Sequence, residues 1–319
     1  MEPSDLFEAA VADGDRRALA RLLRIVEDRR EGWRHTLTEA WAASRSAQLV
    51  GVTGAPGSGK STLTNAMITA WRAVDRSVGV VAVDPSSPFS GGALLGDRIR
   101  MQDHVGDPGV FIRSMSNRGR LGGLADTTAG LVTLLDAAAF DPVVIETVGV
   151  GQSEVEIIDH ADTVVVVVTP GWGDGVQADK AGILEIGDVF VINKADRPHV
   201  EDTRNTLAAM LEMSPDSDWV PPIVETVATE DSGVEELLDV IDRHRRHLSG
   251  PNGRLRQTRR VRSYVEAAMT SGMRKRLDHP DLDGLVEKVR TRRLDPWTAA
   301  EQLVAPLDVE GRTSDAPGH

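Results

Sequence analysis

Hydrophobic residues change their spacing along the chain near residue 48. Upstream, apolar side chains recur every three or four positions, as at Leu19 and Val26, and this spacing predicts amphipathic helices over residues 1–47. Asp13 or Asp15 can cap the start of the predicted helix that contains Leu19 and Val26. Downstream, short runs rich in β-branched residues alternate with helical stretches. The predicted strands are 49–53, 78–83, 110–113, 143–147, 163–169, 189–193 and 223–226.

The alternation of strands and helices predicts an α/β domain over residues 48–250, doubly wound around a mostly parallel sheet. Residues 164–168 are valines without polar interruption, which is typical of a strand covered on both faces. Small, polar and proline residues over 249–253 predict a linker. Beyond it, residues 251–319 predict a C-terminal helical segment with a frayed polar tail. These helices hold too little apolar surface for a core of their own, so we expect them to pack against another surface.

The composition limits the classes of protein and partner. Apolar residues make up 40% of the 319 residues and charged residues 27%, which is typical of a folded globular protein. The net charge of −13 disfavours nucleic acid and anionic membranes as partners. Because no apolar run reaches the length of a membrane span and the first residues lack the shape of a signal peptide, we expect a cytoplasmic protein. The lack of cysteine excludes disulfides, thiolate metal sites and cysteine nucleophiles.

Two further features favour ordinary structural roles. The eight histidines lack metal-binding spacing, and His104, His160 and His199 are predicted to be loop or surface residues. The basic stretch 254–262 is more typical of a solvated helix face than of a nucleic-acid patch, because the chain as a whole is acidic.

A glycine-rich loop follows the first predicted strand and precedes a helix. It matches the phosphate-binding pattern G-x-x-x-x-G-K-[ST] at every required position. Glycines let backbone N–H groups surround a polyphosphate, and the helix N-terminus adds its positive end. Lys60 can reach the β- and γ-phosphate oxygens, and the hydroxyl of Ser61 can bind magnesium. The predicted nucleotide-binding residues of this segment are Gly54, Ala55, Pro56, Gly57, Ser58, Gly59, Lys60, Ser61 and Thr62.

A second motif, N-K-x-D, closes the strand at 189–193 and predicts selection of guanine. The carboxylate of Asp196 can accept hydrogen bonds from guanine N1–H and the exocyclic amine, whereas adenine has no donor at those positions. A buried polar group left without its partner in this way can discriminate by roughly 10⁴-fold. Lys194 would cover the base with its aliphatic stem, and Asn193 would hold the segment against the phosphate loop. A further base contact is predicted for Thr226, Val227 and Ala228.

Carboxylates near the ends of other strands predict a magnesium site. Glu146 ends a buried strand, where a nucleotide hydrolase holds its metal, and Gly149 can offer its N–H to the γ-phosphate. Asp84 follows another strand and Asp97 lies in a glycine-rich loop, so both can approach the metal. Each acidic residue alone is also typical of a helix cap or a turn. Together with Ser61 they supply the oxygen ligands that Mg²⁺ prefers.

A residue that would orient the attacking water is missing from its usual place. Many GTPases have a glutamine directly after the glycine that contacts the γ-phosphate. Here Val150 follows Gly149, and Gln152 lies two residues further on. We therefore expect slow hydrolysis by the isolated protein, with a partner or a second subunit completing the site.

These motifs, together with several longer blocks, resemble the MeaB/ArgK family of GTPases. The resemblance extends from about Arg17 to Pro306. The blocks that carry it are 51–65, 80–90, 91–101, 111–124, 145–156, 169–183, 191–196 and 295–301. The blocks between the two motifs are far more specific than a phosphate loop. Departures are few: Arg120 stands where the family often has histidine, and Gly175 where it often has an acidic residue.

The resemblance implies a P-loop G domain of the dimerising SIMIBI-type class, with helical extensions at 1–47 and 251–319. The implied cofactors are GTP or GDP and Mg²⁺. The implied catalytic residues are Lys60, Asp97, Glu146 and Gly149, and the implied residues around the metal are Ser61, Asp84, Asp97 and Glu146.

The resemblance also implies a partner. Members of the family act as chaperones that gate delivery of adenosylcobalamin to an acyl-CoA mutase, most often methylmalonyl-CoA mutase, and protect that mutase. Gln177 and Lys180 would pass the nucleotide state to the mutase. The C-terminal helices would form the interface of a homodimer, and residues 1–47 would wrap the G domain.

Three alternative functions stay open. A kinase that uses GTP or ATP to phosphorylate arginine or a related small molecule would need an acceptor pocket, and no added segment builds one. A metal-insertion GTPase is disfavoured because the chain has no cysteine and no histidine-rich tract. A binding module that holds GTP only as a structural ligand stays open because the expected rate of hydrolysis is low. The identity of the mutase also stays open among methylmalonyl-, isobutyryl- and ethylmalonyl-CoA enzymes.

Overall fold

The computed structural model describes residues 2–85, 102–104, 106–117, 123–147, 157–172, 185–213, 218–277, 282–291, 293–294 and 298. The chain forms two compact units, Met1–Ser263 and Tyr264–His319. In its described residues, the first unit holds a sheet with helices on both faces, and the second holds helices.

A seven-stranded sheet forms the centre of the first unit. Its strands are β1 (Leu49–Thr53), β2 (Val78–Pro85), β3 (Val110–Asn117), β4 (Val143–Thr147), β5 (Thr163–Val168), β6 (Val189–Asn193) and β7 (Ile223–Thr226). Their order is β3-β2-β4-β1-β5-β6-β7, and all paired neighbours run parallel. The seven predicted strands and the doubly wound parallel sheet are therefore confirmed, and β2 and β3 extend beyond their predicted ends. After β4 the chain crosses β1 to the other half of the sheet, so the loops that follow β1 and β4 diverge at its centre.

Helices cover both faces of this sheet. The helices of the first unit are α1 (Pro3–Val11), α2 (Arg16–Glu27), α3 (Trp33–Ala42), α4 (Lys60–Ala73), α5 (Gly123–Ala137), α6 (Val200–Glu212) and α7 (Val234–His247). Helix α8 (Pro251–Leu277) begins in the first unit and ends in the second, which also holds α9 (Leu282–Arg290). Along β5, Val165 and Val167 pack in one cluster with α4 and α7, whereas Val164 and Val166 pack with α6 on the opposite face. The uninterrupted valine run is thus buried on both faces, as predicted.

The N-terminal helices complete the core on one face of the sheet. Apolar residues of α2, including Leu19 and Val26, are buried in a cluster with α5 and with residues of β2, β3 and β4. Asp15, and not Asp13, caps α2 by accepting hydrogen bonds from the backbone N–H groups of Arg17 and Ala18. Residues 1–47 therefore pack within the first unit.

Ion pairs fix the start of α8 to the amino-terminal edge of the sheet. The pairs are Arg256 with Asp188, Arg259 with Asp159 and Arg260 with Asp162. For Arg256 and Arg260, which are partly buried, the prediction of a solvated helix face over 254–262 is wrong, whereas Arg259 is exposed as predicted. The physical reason is that the partners of Arg256 and Arg260 lie 68 and 98 residues earlier in the chain and come near only in the folded sheet. Because α8 already begins at Pro251, the break between α7 and α8 is also shorter than the predicted linker.

Two histidines are buried in the first unit. His160 is 2% exposed and His244 is 1% exposed. Burial lowers the pKa of each from its ordinary 6.5 to about 4, because the charged imidazolium loses its hydration. The ring Nδ1 of His244 lies 2.9 Å from the hydroxyl of Thr163 at the start of β5. The prediction that His160 lies in a loop is confirmed by its turn after Ile157–Asp159, but burial of the ring rules out a surface role.

The second unit contains the last part of α8 and helix α9. Ala267 and Leu285 are buried there, whereas Val265, Met269 and Val286 are 54%, 62% and 55% exposed. Its described helices therefore leave large apolar side chains on their surface.

In the described part of the chain, each helix is too short or too polar to cross a lipid bilayer.

Candidate functional site

The glycine-rich loop connects the carboxyl end of β1 with the start of α4 at the centre of the sheet. Two of its glycines have conformations that another residue could not adopt there. Gly54 has φ +138°, and a Cβ atom at this position would lie 2.1 Å from the carbonyl oxygen of Val167. Gly59 has φ +95°, and its Cβ atom would lie 2.3 Å from Nδ2 of Asn193. The close approach of the loop to β5 and β6 therefore requires glycine.

The lysine of the loop is held by the loop itself. Lys60 Nζ donates hydrogen bonds to the carbonyl oxygens of Gly54 and Ala55, at 2.6 and 3.1 Å, and the residue is 7% exposed. The N-cap residue of α4 is Gly59, which provides no side-chain cap for the backbone N–H groups of the first turn. Positive charge from Lys60 and from the helix dipole is thus concentrated where a polyphosphate would lie.

Two side chains whose oxygen atoms could bind a metal ion meet beside the loop. The Ser61 hydroxyl, in the first turn of α4, donates a hydrogen bond of 2.6 Å to Oε1 of Glu146 in β4. Both residues are buried, at 5% and 2% exposure. A hydroxyl and a carboxylate fit Mg²⁺, which takes one or two protein oxygens and completes its shell with phosphates and water. Among the described residues, no group of three or more His, Asp or Glu side chains is placed to hold a metal ion.

Other predicted residues of the metal region are described only in part or not at all. The main chain of Asp84 lies in the last two residues of β2, at the same edge of the sheet as Glu146. Asp97 and Gly149, together with Val150, Gln152, Gln177 and Lys180, lie outside the described residues. Their roles stay predictions.

Asn193, the last residue of β6, joins the guanine motif to the phosphate loop. Its Nδ2 donates to the Ser58 carbonyl at 2.9 Å. Its Oδ1 accepts from the Thr226 hydroxyl at 3.1 Å and from the Ala228 N–H at 3.2 Å. These contacts fix the orientation of the amide, because a flipped group would bring its NH₂ against the Ala228 N–H and its oxygen against the Ser58 carbonyl. The predicted segment Thr226–Ala228 therefore supports Asn193, and its own contact with a base stays a prediction.

Lys194 and Asp196 lie at the rim of the same site. Lys194 has φ +62°, and its Nζ donates to the Gly57 carbonyl at 2.7 Å, so the side chain spans the phosphate loop. The carboxylate of Asp196 is exposed and makes no hydrogen bond or ion pair within the described part of the chain. It is therefore accessible to donors of a bound base.

A pair of threonines was missed by the sequence motifs. The Thr147 hydroxyl donates to the Thr53 hydroxyl at 3.1 Å, and the two residues are 3% and 0% exposed. They end two neighbouring strands, β4 and β1. The only signal in the sequence is a hydroxyl residue at the last position of two apolar strands, which by itself indicates nothing about contact.

Comparisons with known proteins agree with this geometry. The chain matches the family model described as methylmalonyl Co-A mutase-associated GTPase MeaB over residues 19–279. A Pyrococcus abyssi protein that is named as a GTPase is 45% identical to this chain over 304 residues, which cover 92% of this chain and 94% of that protein. The mitochondrial methylmalonic aciduria type A homolog of Mus musculus is 31% identical over 325 residues, covering 94% of this chain and 78% of that protein.

A solved structure has the same fold. The crystal structure of LAO/AO transport system kinase is similar with a TM-score of 0.71 and 26% identity, over 95% of this chain and 96% of that chain. This similarity, together with the family match, confirms the predicted P-loop α/β fold and the predicted family resemblance.

Proposed function

The chain belongs to the MeaB family of methylmalonyl-CoA mutase-associated GTPases, and from this premise we propose that its GTPase cycle gates and protects a B12-dependent mutase. The chain is a P-loop GTPase. The proposal concerns what its hydrolysis of GTP controls: delivery of adenosylcobalamin to an acyl-CoA mutase, and protection of that mutase from inactivation.

The observation that carries the nucleotide part is the contact between the two motifs. Asn193 bonds to the Ser58 carbonyl and Lys194 bonds to the Gly57 carbonyl, so the guanine-reading segment and the phosphate loop form one surface. A nucleotide that places its phosphates on the loop has its base near Asp196. Selection of guanine by that carboxylate and a magnesium site at Ser61 and Glu146 are the finer parts of the proposal.

The described residues account for binding and charge neutralisation during hydrolysis. Water attacks the γ-phosphorus, the bond to the β–γ bridging oxygen breaks, and GDP and phosphate leave. To meet the phosphates, Lys60 exchanges the carbonyls of Gly54 and Ala55 for phosphate oxygens. When bound, Mg²⁺ neutralises charge on the β- and γ-oxygens, and Ser61 and Glu146 would hold it.

The mutase as partner is supported by the family and by the name of the mouse relative. Methylmalonyl-CoA mutase is the first candidate. Gln177 and Lys180 are the proposed signalling residues, since they lie in the block 169–183 that resembles the family. Because this segment reports the nucleotide state in the proposal, changing Lys180 to alanine should reduce stimulation by the mutase and not the basal rate.

Release of free phosphate tests the proposal against its alternatives. Purified protein should release phosphate from GTP and Mg²⁺ without any acceptor, slowly, and faster when the mutase is added. Phosphate transfer only in the presence of arginine or a related amine would instead identify a kinase. If none of the methylmalonyl-, isobutyryl- and ethylmalonyl-CoA mutases stimulates hydrolysis or forms a complex, the proposed partner is wrong.

A homodimer formed through the second unit is a further part of the proposal. Exposed Val265 and Met269 are four residues apart on α8, so they share one face of the helix. Unpartnered apolar side chains of this kind are typical of an interface. Sedimentation of the wild type with GTP should give a dimer, and Met269→Asp should shift it towards the monomer. A wild type that sediments as a monomer at all concentrations would contradict this part.

A further inference from the structure

The carboxyl ends of β1 and β4 are joined by side chains as well as by the backbone ladder. The paired backbone register of the two strands ends at Val52 and Glu146. Thr53, the last residue of β1, pairs with Val166 of β5 on its other side, and the phosphate loop follows it. The next residues, Thr53 and Thr147, continue the connection through the hydrogen bond between their buried hydroxyls. This bond lies where the loop that holds the phosphates leaves the strand next to Glu146.

The threonine pair and the Ser61–Glu146 bond lie on opposite faces of the sheet. Side chains alternate between faces along a strand. Val144, two residues before Glu146, packs in the cluster that contains α4. Ile145, two residues before Thr147, packs in the cluster on the other face. One junction between strand and phosphate loop is therefore held from both sides.

Magnesium binding would break the Ser61–Glu146 hydrogen bond but not the Thr53–Thr147 hydrogen bond. The Ser61 hydroxyl is a proposed magnesium ligand, so binding of the metal would replace its direct bond to Glu146. The hydroxyls of Thr53 and Thr147 point to each other, on the face away from α4, and nothing in hydrolysis requires them to separate. The threonine pair can thus keep its geometry while the opposite side of the junction exchanges partners.

We infer that Thr53 and Thr147 are positioning residues for GTP hydrolysis. Their bond fixes the distance between the phosphate loop and the end of β4, from which the chain continues directly to Gly149. Neither residue is assigned a contact with nucleotide. The inference rests on GTP hydrolysis alone and is independent of the mutase.

Isosteric substitutions separate positioning from stability. Thr147→Val removes the donor and leaves the buried Thr53 hydroxyl without this partner, which lowers stability. The double variant Thr53→Val/Thr147→Val replaces both hydroxyls by methyl groups of the same shape, which restores most of the stability but not the hydrogen bond. Thr147→Ser keeps the donor. A double-mutant cycle in urea, without nucleotide, measures the coupling of the pair.

We expect the double variant to lose about tenfold in kcat, which corresponds to about 1.4 kcal/mol in the barrier. Its KM for GTP and its affinity for GDP should stay within about twofold of wild type, and Thr147→Ser should retain most of kcat. A matched control is Thr163→Val, which removes another buried hydroxyl contact at the opposite edge of the sheet and should leave kcat unchanged. The inference is overturned if the double variant keeps the wild-type kcat, or if GDP affinity falls as much as kcat does.

Discussion

Asn193 has a role that only an uncharged amide can fill. One end of its side chain donates to a backbone carbonyl and the other accepts from two donors. Aspartate at this position would place a carboxylate oxygen against the Ser58 carbonyl and lose the bond to the phosphate loop. We therefore expect Asn193 to orient the segment that is proposed to read guanine.

The exposed carboxylate of Asp196 allows a direct test of base selection. Asp196→Asn replaces an acceptor by a group that can donate, which suits the C2 carbonyl of xanthine. We expect the variant to lose GTP affinity by two orders of magnitude or more, up to roughly 10⁴-fold, and to bind xanthosine triphosphate better. Titration of both nucleotides checks this, with Asp239→Asn, an exposed change on α7, as control. A variant that still prefers GTP would show that another group reads the base.

Gly59 offers a second test at the level of one residue. Alanine there combines an unfavourable positive φ with a Cβ atom 2.3 Å from Asn193 Nδ2. We expect Gly59→Ala to displace Asn193 and to reduce GTP affinity by at least about tenfold, which corresponds to about 1.4 kcal/mol. Gly14→Ala is the matched control, since Gly14 has φ +69° with no atom within 4 Å of its Cβ position. Equal affinities in the two variants would contradict the role given to the Gly59–Asn193 contact.

Short motifs made the central residues predictable, and long-range contacts did not. The positions of Lys60, Ser61 and Asn193 follow from local order: a strand, a loop and a helix. The contact of Thr53 with Thr147 joins residues 94 positions apart, and it depends on which strands are neighbours in the sheet. A threonine at the end of an apolar strand has no pattern that identifies its partner.

Among the elements, α8 is bound to the sheet by charge more than by apolar burial. Asp188, 4% exposed, accepts hydrogen bonds from the Val164 backbone N–H and from Arg256. A buried carboxylate is stable only if its charge is compensated. Arg256 therefore stabilises the packing of α8, although it lies in a stretch that reads as a solvated face.

Substitution of Arg256 should lower the free energy of unfolding more than substitution of an exposed arginine on the same helix. Arg256→Met keeps the aliphatic stem and leaves Asp188 without its cation, so we expect a loss of about 2–3 kcal/mol in the free energy of unfolding, reduced from the buried-pair value because Arg256 is partly exposed. Arg254→Met, an exposed neighbour with no ion pair among the described residues, should change it by less than about 0.5 kcal/mol. Urea denaturation measures both. Similar losses in the two variants would contradict the ion-pair account.

Element boundaries could be predicted where burial was continuous. The five-valine run of β5 and the apolar strand β6 are buried along their whole length, and their ends were predicted closely. The start of α8 was not, because Pro251 can begin a helix as well as interrupt one. Arg256 and Arg260 were misinterpreted because an arginine's partner across the fold leaves no periodicity in the sequence.

At the scale of the whole molecule, the two buried histidines make stability depend on pH. Their pKa values near 4 lie below the ordinary 6.5, so the unfolded chain binds more protons between these values. The free energy of unfolding therefore decreases as the pH falls from about 6.5 towards 4, by up to about 1.4 kcal/mol per pH unit for each histidine. Above this range both groups are neutral in either state and contribute no slope.

Comparison of a histidine variant with wild type separates the contribution of the histidine to the pH dependence of stability from the contribution of the carboxylates. His160→Gln removes one titrating group, and we expect a shallower decrease in the free energy of unfolding between pH 6.5 and 4.5 than in wild type. Urea unfolding at several pH values provides the measurement. Parallel curves for wild type and His160→Gln would contradict the lowered pKa of His160.

The fold of the first unit and the family were predictable from the sequence. Blocks of residues between the motifs identified the family because many positions agree at once. The boundary at Tyr264 lies inside a continuous helix, and no change in composition marks such a position. The assembly and the mutase depend on other molecules, which one chain cannot describe.

Calorimetric titration of the folded protein with GTP, GDP and ATP in the presence of Mg²⁺ tests the central claim most directly. The account predicts one site per chain for GTP and for GDP, and binding of ATP weaker by orders of magnitude. No heat with GTP, or equal affinity for ATP and GTP, would contradict it.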